Sequence, residues 1–363
     1  MKKIYTLLIL CLALCLPGCL HAENEALSES AASEQARTGQ DTEPVDVNEI
    51  VFGHIQDAYE WHIVSWGDKE LSIPLPVIVK SSNGWHLFSS ERLKDGAVYE
   101  GLYIARSGAY KDKIVERNAK GMEIRPWDIS LTKNVVAMII NSCLLVWIML
   151  ACARWYRRHD LQQGAPNGGV GAMEFLILMV QEDVIKGGIG ADYKRYAPYL
   201  LTAFFFILIN NLMGLIPIFP GGANVTGNIA VTLVLALFTF VLTNVYATKA
   251  YWKDIFWPDV PWWLKFPIPM MPLIEFFGIF TKPFALMIRL FANIMAGHAA
   301  ILSLVAIIFI TVKVGPAING SMTVVAVLFG IFMDALELLV AFIQAYVFTM
   351  LSSVFIGLSR QSE

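Results

Sequence analysis

Two long apolar stretches near the C-terminus carry ionisable and amide side chains where hydrocarbon is expected. In the first, Glu275, Lys282 and Arg289 recur every seven residues, Asn293 lies four beyond Arg289, and His298 nine beyond it. Steps of seven and four keep roughly one helical face, whereas nine residues turn about 900° and put His298 on the opposite face. In the second stretch Glu337 and Gln344 are again seven apart, with Asp334 just before them. A guanidinium in hydrocarbon costs roughly 2.5–3.5 kcal/mol on insertion scales, so Arg289 needs a role that offsets it. Histidine and carboxylate exchange protons near neutral pH. Arginine does not, since its pKa lies above about 12. A fixed positive charge between two proton-accessible regions blocks a direct leak and attracts a carboxylate. One buried couple would be explained as a structural ion pair, but a run from the outer to the inner side points to an ion pathway.

These side chains must be positioned by a helical hairpin. The stretches, roughly 272–312 and 320–358, are hinged at "KVGPAING". Folding about Pro316 places Arg289 opposite position 343, beside Gln344. His298 falls opposite Asp334, with Glu337 one turn on. His298 and Glu337 then lie toward the outer turn, Arg289 and Gln344 deeper, and Glu275 near the cytoplasm. A helix of such length spans about 60 Å, against a hydrocarbon core of about 30 Å. Both helices must be strongly tilted or lie partly along the membrane.

The rest of the chain fits a polytopic membrane protein. Of 363 residues, 56% are hydrophobic and 16% charged, whereas soluble domains carry about 25% charged residues. The net charge of −3 gives no footprint for nucleic acid. Residues 134–153 are uncharged and run into "RWYRRH", a span whose C-terminal end is cytoplasmic by the positive-inside rule. Residues 196–248 hold no charge and are broken by "IPIFPGGANVTGN", which makes two spans joined by an outer turn. The sequon Asn224–Thr226 in that turn reads as chance. Residues 172–190 mix apolar runs with charges and fit a helix in the cytoplasmic interface. About five crossings result, with the C-terminus in the cytoplasm. The fold class is an all-α polytopic membrane protein carrying a small β-rich extracytoplasmic module.

The N-terminal third divides by composition. Residues 1–22 have the two lysines and short apolar core of an export signal. Cleavage after Ala22 and lipidation of Cys19 in "LPGC" both fit. Residues 23–49 carry eight acids against one arginine, an acidic linker without a core. Residues 50–130 contain short runs rich in Trp, Tyr, Val and Ile, such as "YEWHIVSW" and "LSIPLPVIVK", a β-rich module outside the membrane. Its charged border, "RPWDISLTKN", predicts few contacts with the membrane part, residues 131–363. His54, His62 and His86 match no zinc spacing and read as ordinary half-buried histidines, with no metal. The five cysteines lie in the signal and in an apolar helix, so the module has no disulfide framework.

The motifs "RLFANIMAGH" and "ELLVAFIQAYVFTML" resemble the two signature helices of subunit a of F-type ATP synthases, and "KRYAPYLLTAFFFILINNLMGLIP" and "NIAVTLVLAL" resemble the helices before them. The resemblance covers about residues 130–358. It implies an ion-conducting stator subunit with two proton half-channels, working against a rotating c ring, b-type stator subunits and a catalytic head in a bacterial inner membrane. No cofactor and no catalysis by this chain alone are implied. By resemblance, Arg289 is the essential arginine facing the acidic residue of the c ring, and Asn293 and Gln344 are its polar neighbours. His298 and Glu337 form a pair whose types are exchanged relative to many members. Asn211 belongs to the outer half-channel and Glu275 to the inner one. Ala292 replaces a usual glycine, and Gly214 stands where some members have an acid. A secondary transporter or autonomous channel is the competing reading, although neither internal repeats nor broken mid-membrane helices are evident.

Overall fold

A computed structural model describes residues 57–360 apart from 67–68, 119–120, 160–165, 167, 217–218, 258–269 and 313–314. The export signal, the acidic linker and His54 lie outside the described residues.

Among the described residues, the N-terminal module is built from eight strands in three small antiparallel sheets. β1 (Glu60–Trp66) pairs with β2 (Lys69–Pro74). β3 (Pro76–Ser81) lies between β4 (Gly84–Ser89) and β8 (Trp127–Asp128). β6 (Ile114–Arg117) lies between β5 (Leu102–Ile104) and β7 (Glu123–Ile124). Val77 and Val79 alternate inward along β3, as a half-buried strand requires. With Phe88, Leu93, Leu102 and Ile114 they form the module's core.

The module is bonded into the membrane part, contrary to the few contacts its charged border predicts. α1 (Lys133–Arg158) has Thr132 at its N-cap position, but that side chain does not cap the helix. The cap comes from 77 residues upstream: Asp57 Oδ1 accepts the Asn134 N–H at 3.0 Å, and the Ala58 carbonyl accepts the Lys133 N–H at 2.9 Å. Two of the open N–H groups of the first turn are thereby satisfied. Burial pushes the Asp57 carboxyl above its ordinary value, opposed by the bond from Asn134, by Thr132 and by the charges of Lys113 and Lys133. Trp61 adds a hydrophobic contact. It is buried with Ala137 of α1 and with Ala223 and Val225 of the segment after α3, and its ring meets Phe219 edge-on at 5.0 Å.

The membrane part continues with α2 (Gly169–Leu178) and a π-helical extension, Met179–Lys186. α3 (Tyr193–Leu215), α4 (Ile229–Val245) and α5 (Lys249–Phe256) follow. Asn228 caps α4 by accepting from the Ala230 N–H. α6 (Met270–Thr311) and α7 (Pro316–Arg360) make the long hairpin; proline suits the first position of α7, where no N–H is needed. α1, the run from α2 through α3, α6 and α7 are long and apolar enough to cross a membrane, and the α4–α5 pair, bent by 99°, makes a fifth if counted as one.

α3 is the hub. Leu200, Phe204 and Ile207 pack with Val180 and Ile185 of the π-helical segment, Leu286 and Leu290 of α6, and Ala345, Phe348 and Ile356 of α7. The segment 172–190 is thus a helix with one face seated in the core. Its end crosses α7 at backbone distance: a Cβ on Gly357 would lie 2.0 Å from the Gly188 carbonyl oxygen. Arg360 then ties the end of α7 to Asp192 at 2.6 Å. By contrast α6 and α7 are little covered, with 11% and 17% of their most apolar windows buried against 44% for the α2–α3 run. Phe276, Phe277, Phe280, Phe284, Phe329 and Phe332 all face outward.

Candidate functional site

α6 has two faces near its middle. Ala285, Ile288, Arg289, Ala292, Asn293 and Ala296 are exposed, while Leu286, Leu290 and Ile294 are buried. The alternation follows the helical period and sets Arg289 and Asn293 together on the outward stripe. Three alanines around them keep that stripe shallow. Among the described residues, no hydrogen bond or ion pair holds Arg289. Gln344 is buried on α7, turned toward the core while Arg289 points away from it.

His298 lies on the other side of α6. Its Nδ1 is hydrogen-bonded to Oε1 of Glu337. Glu337 is the more deeply placed partner, its side chain 3% exposed against 18% for His298. Residue 297 is glycine, and a Cβ there would stand 2.9 Å from Glu337 Oε1, so the helices meet closely only because that atom is missing. Glu337 Oε2 is buried without a protein partner. His298 Nε2 points toward Gly214 of α3, whose missing Cβ would be 3.9 Å away.

Equal spacing from the turn puts His298 opposite Asp334; the structure corrects this to Glu337, and Asp334 is exposed. The hairpin is not symmetric. Thr311 donates to Asn319 at 2.9 Å near the turn. From there the facing partner moves 13 residues along α6 to His298 but 18 along α7 to Glu337.

Asn211 joins the hairpin to the loop between α3 and α4. The Thr226 hydroxyl donates to Asn211 Oδ1 at 2.6 Å, and Asn211 Nδ2 donates to the Ala341 carbonyl at 3.2 Å, one turn beyond Glu337. Thr226 is 1% exposed and Asn224 5%. Asn224 Oδ1 accepts the Gly227 N–H, and its Nδ2 is buried without a protein partner. A sequon was the visible signal at 224–226; its burial makes both residues part of the interior, which sequence reasoning missed. Also missed was the bond from Asn141 of α1 to Asn210 of α3 at 2.9 Å, beside Asn211. Asn134, Ala137 and Asn141 share the one buried face of α1, a spacing that could have shown it.

Glu275 stands apart from this cluster, near the start of α6, half-buried and within electrostatic reach of Tyr251 on α5. In the module, His86 is bonded by Nδ1 to Glu100 and by Nε2 to Ser81 Oγ. His62 lies in β1.

Residues 135–357 match the ATP synthase A chain family. The chain belongs to that family. It is 42% identical over 251 residues to ATP synthase subunit a of Chloroherpeton thalassium, covering 67% of this chain and 70% of that one. It is 46% identical over 243 residues to ATP synthase subunit a of Pelodictyon phaeoclathratiforme, covering 65% and 67%. It is 41% identical over 239 residues to ATP synthase subunit a of Myxococcus xanthus, covering 64% and 73%. Ahead of the ATP synthase A chain region, residues 50–129 match a separate family described as Domain of unknown function (DUF8433).

Proposed function

We propose that this chain is the ion-conducting stator subunit of a rotary F-type ATP synthase, and that its hairpin passes protons to and from a rotating ring of carboxylates. As a member of the ATP synthase A chain family it is a multi-pass membrane component of the complex and not an enzyme on its own. The transporter or autonomous-channel alternative is not favoured by that membership.

The observation that carries the mechanism is the division of α6 into two faces. On the inward face, His298 and Glu337 form a buried proton-exchanging pair with one unpartnered carboxylate oxygen. On the outward face, Arg289 stands on a shallow stripe with no partner among the described residues. Protons enter from outside past Asn211 to His298 and Glu337, and from there neutralise a ring carboxylate. The ring carries the proton around and releases it near Glu275 at the inner side. Arg289 favours the ionised carboxylate between the two and blocks a direct leak, since a guanidinium has no proton to give at working pH. Asn293, on the same outward stripe, keeps the surroundings of that encounter polar, while Gln344 lends polarity to the inward side of the hairpin.

Five crossings fit this reading: α1, α3, α4, and the tilted helices α6 and α7. Lys194, Arg195 and Arg360 cluster at one end of the bundle, and the positive-inside rule makes that end cytoplasmic. The exported module then sits outside a bacterial inner membrane, with the c ring, b-type stator subunits and catalytic head as partners. The test is passive proton conduction in inverted vesicles stripped of the catalytic head. Glu337→Gln and Asn211→Leu both lower conduction with the complex intact; unchanged conduction in both removes this pathway.

A further inference from the structure

The exported module has no part in the pathway above, yet its contacts lead to it. Trp61, at the start of β1, is 3% exposed and packs on Ala223 and Val225, each at most 2% exposed. The next residue is Thr226, whose hydroxyl holds Asn211 Oδ1. Asn211 in turn reaches the α7 carbonyl one turn from Glu337. The segment carrying Thr226 makes local bonds, Val225 N–H to the Ala223 carbonyl at 3.0 Å and Gly227 N–H to Asn224 Oδ1 at 2.9 Å, and is also packed by residues distant in the chain. It leaves α3 through Gly221 and Gly222, where the Gly222 N–H is bonded to the Met213 carbonyl at 3.1 Å. It is held from above by the Trp61 ring and from the side by Ala137 of α1. Asp57 fixes α1 in that place by capping it.

We propose that the exported module is a clamp on the outer half-channel: Trp61 is a positioning residue that presses the 223–226 segment down so that Thr226 orients the Asn211 amide. This rests on Asn211, His298 and Glu337 forming the outer path. The amide matters because its two ends differ. With Oδ1 occupied by a donor, Nδ2 is left to bind α7. Without the Thr226 hydroxyl, the buried Oδ1 loses its donor, and the amide is left with its single bond to the Ala341 carbonyl, from which it can shift to find another partner. The module is therefore a working part of proton access and not a separable ornament, contrary to the separability its charged border predicts.

The test is a double-variant cycle in the full complex. Proton conduction is measured in head-stripped inverted vesicles, beside the amount of assembled complex. Thr226→Val lowers conduction several-fold and Thr226→Ser restores it. Trp61→Ala lowers conduction with assembly retained, and Trp61→Phe keeps most of it. The double variant Trp61→Ala with Thr226→Val conducts no worse than Thr226→Val alone, because Trp61 acts through Thr226. A merely structural Trp61 would multiply the two losses, and that outcome overturns the proposal. So does Trp61→Ala conducting at the wild-type rate. If Trp61→Ala does not assemble, Trp61→Leu carries the same cycle, since it keeps much of the apolar volume but loses the ring facing Phe219. The two readings fail separately: normal conduction in Glu337→Gln and Asn211→Leu sinks the pathway, whereas loss there with multiplying effects at Trp61 and Thr226 sinks only the clamp.

Discussion

Gly297 stands directly against Glu337: a Cβ built on it comes within 2.9 Å of Oε1, 3.1 Å of Cδ and 3.3 Å of Cγ. The carboxylate cannot simply swing aside, because Oε1 is bonded to His298. Gly297→Ala is expected to break the pair and slow proton-coupled ATP synthesis several-fold, with the complex still assembled. Shortening the acid relieves the clash, so Gly297→Ala with Glu337→Asp recovers part of the rate. ATP synthesis in inverted vesicles checks both; a single variant at full rate shows that the close approach is not needed.

Arg289→Ala is expected to reduce coupled ATP synthesis to background while complex yield stays near normal, since the outward side chain holds no described neighbour in place. Arg289→Lys fails as well. A lysine lacks the planar fork and gives up its proton in a dry site. Synthesis assayed beside complex yield decides the point, and near-normal synthesis in either variant removes Arg289 from its role.

The pair at His298 and Glu337 is expected to tolerate exchange better than loss. His298→Ala and Glu337→Ala each slow proton transfer. His298→Glu combined with Glu337→His restores part of it, because either order supplies one imidazole and one carboxylate at the same depth. A doubly exchanged chain slower than both single variants would refute the pairing.

Asp57 gives the N-terminal module a pH dependence of definite sign. Its folded carboxyl titrates above the ordinary 3.8 because of burial. The folded state therefore binds the proton more tightly than the unfolded one, and the charged form costs stability above the raised value. Lowering pH from neutral through that value strengthens the module's attachment, and the gain is complete below 3.8. Asp57→Asn keeps an oxygen for the Asn134 N–H but has no proton to take up, so it flattens this contribution. Melting of the purified complex, followed by a fluorophore on the module, reads the difference between the two chains across acid pH. Equal slopes would show that Asp57 carries no charge-dependent share.

The helix faces were legible because they depend only on local periodicity. The split between Arg289 and His298 follows from a nine-residue step, and the structure keeps it. The family resemblance names Glu337 as the partner of His298, whereas equal spacing from the turn alone points at Asp334. Equal spacing assumes that both helices advance equally from the turn, and the advance from Thr311–Asn319 to His298–Glu337 is 13 residues on α6 against 18 on α7, which no local pattern encodes. Asp57 and Trp61 were illegible for a related reason. An aspartate next to an acidic linker and a tryptophan in a strand look ordinary until the chain brings them to α1 and to residues 219–225. Thr226 was hidden by its small size and by a modification sequon that burial excludes.

The bare outward sides of α6 and α7 bear on the life of the chain before it meets its neighbours. A newly inserted copy shows lipid a broad phenylalanine-rich wall with one unneutralised guanidinium set in it. The wall is at home in acyl chains, but the guanidinium is not. An orphan copy therefore carries its own mark of incompleteness, placed where a ring carboxylate would erase it.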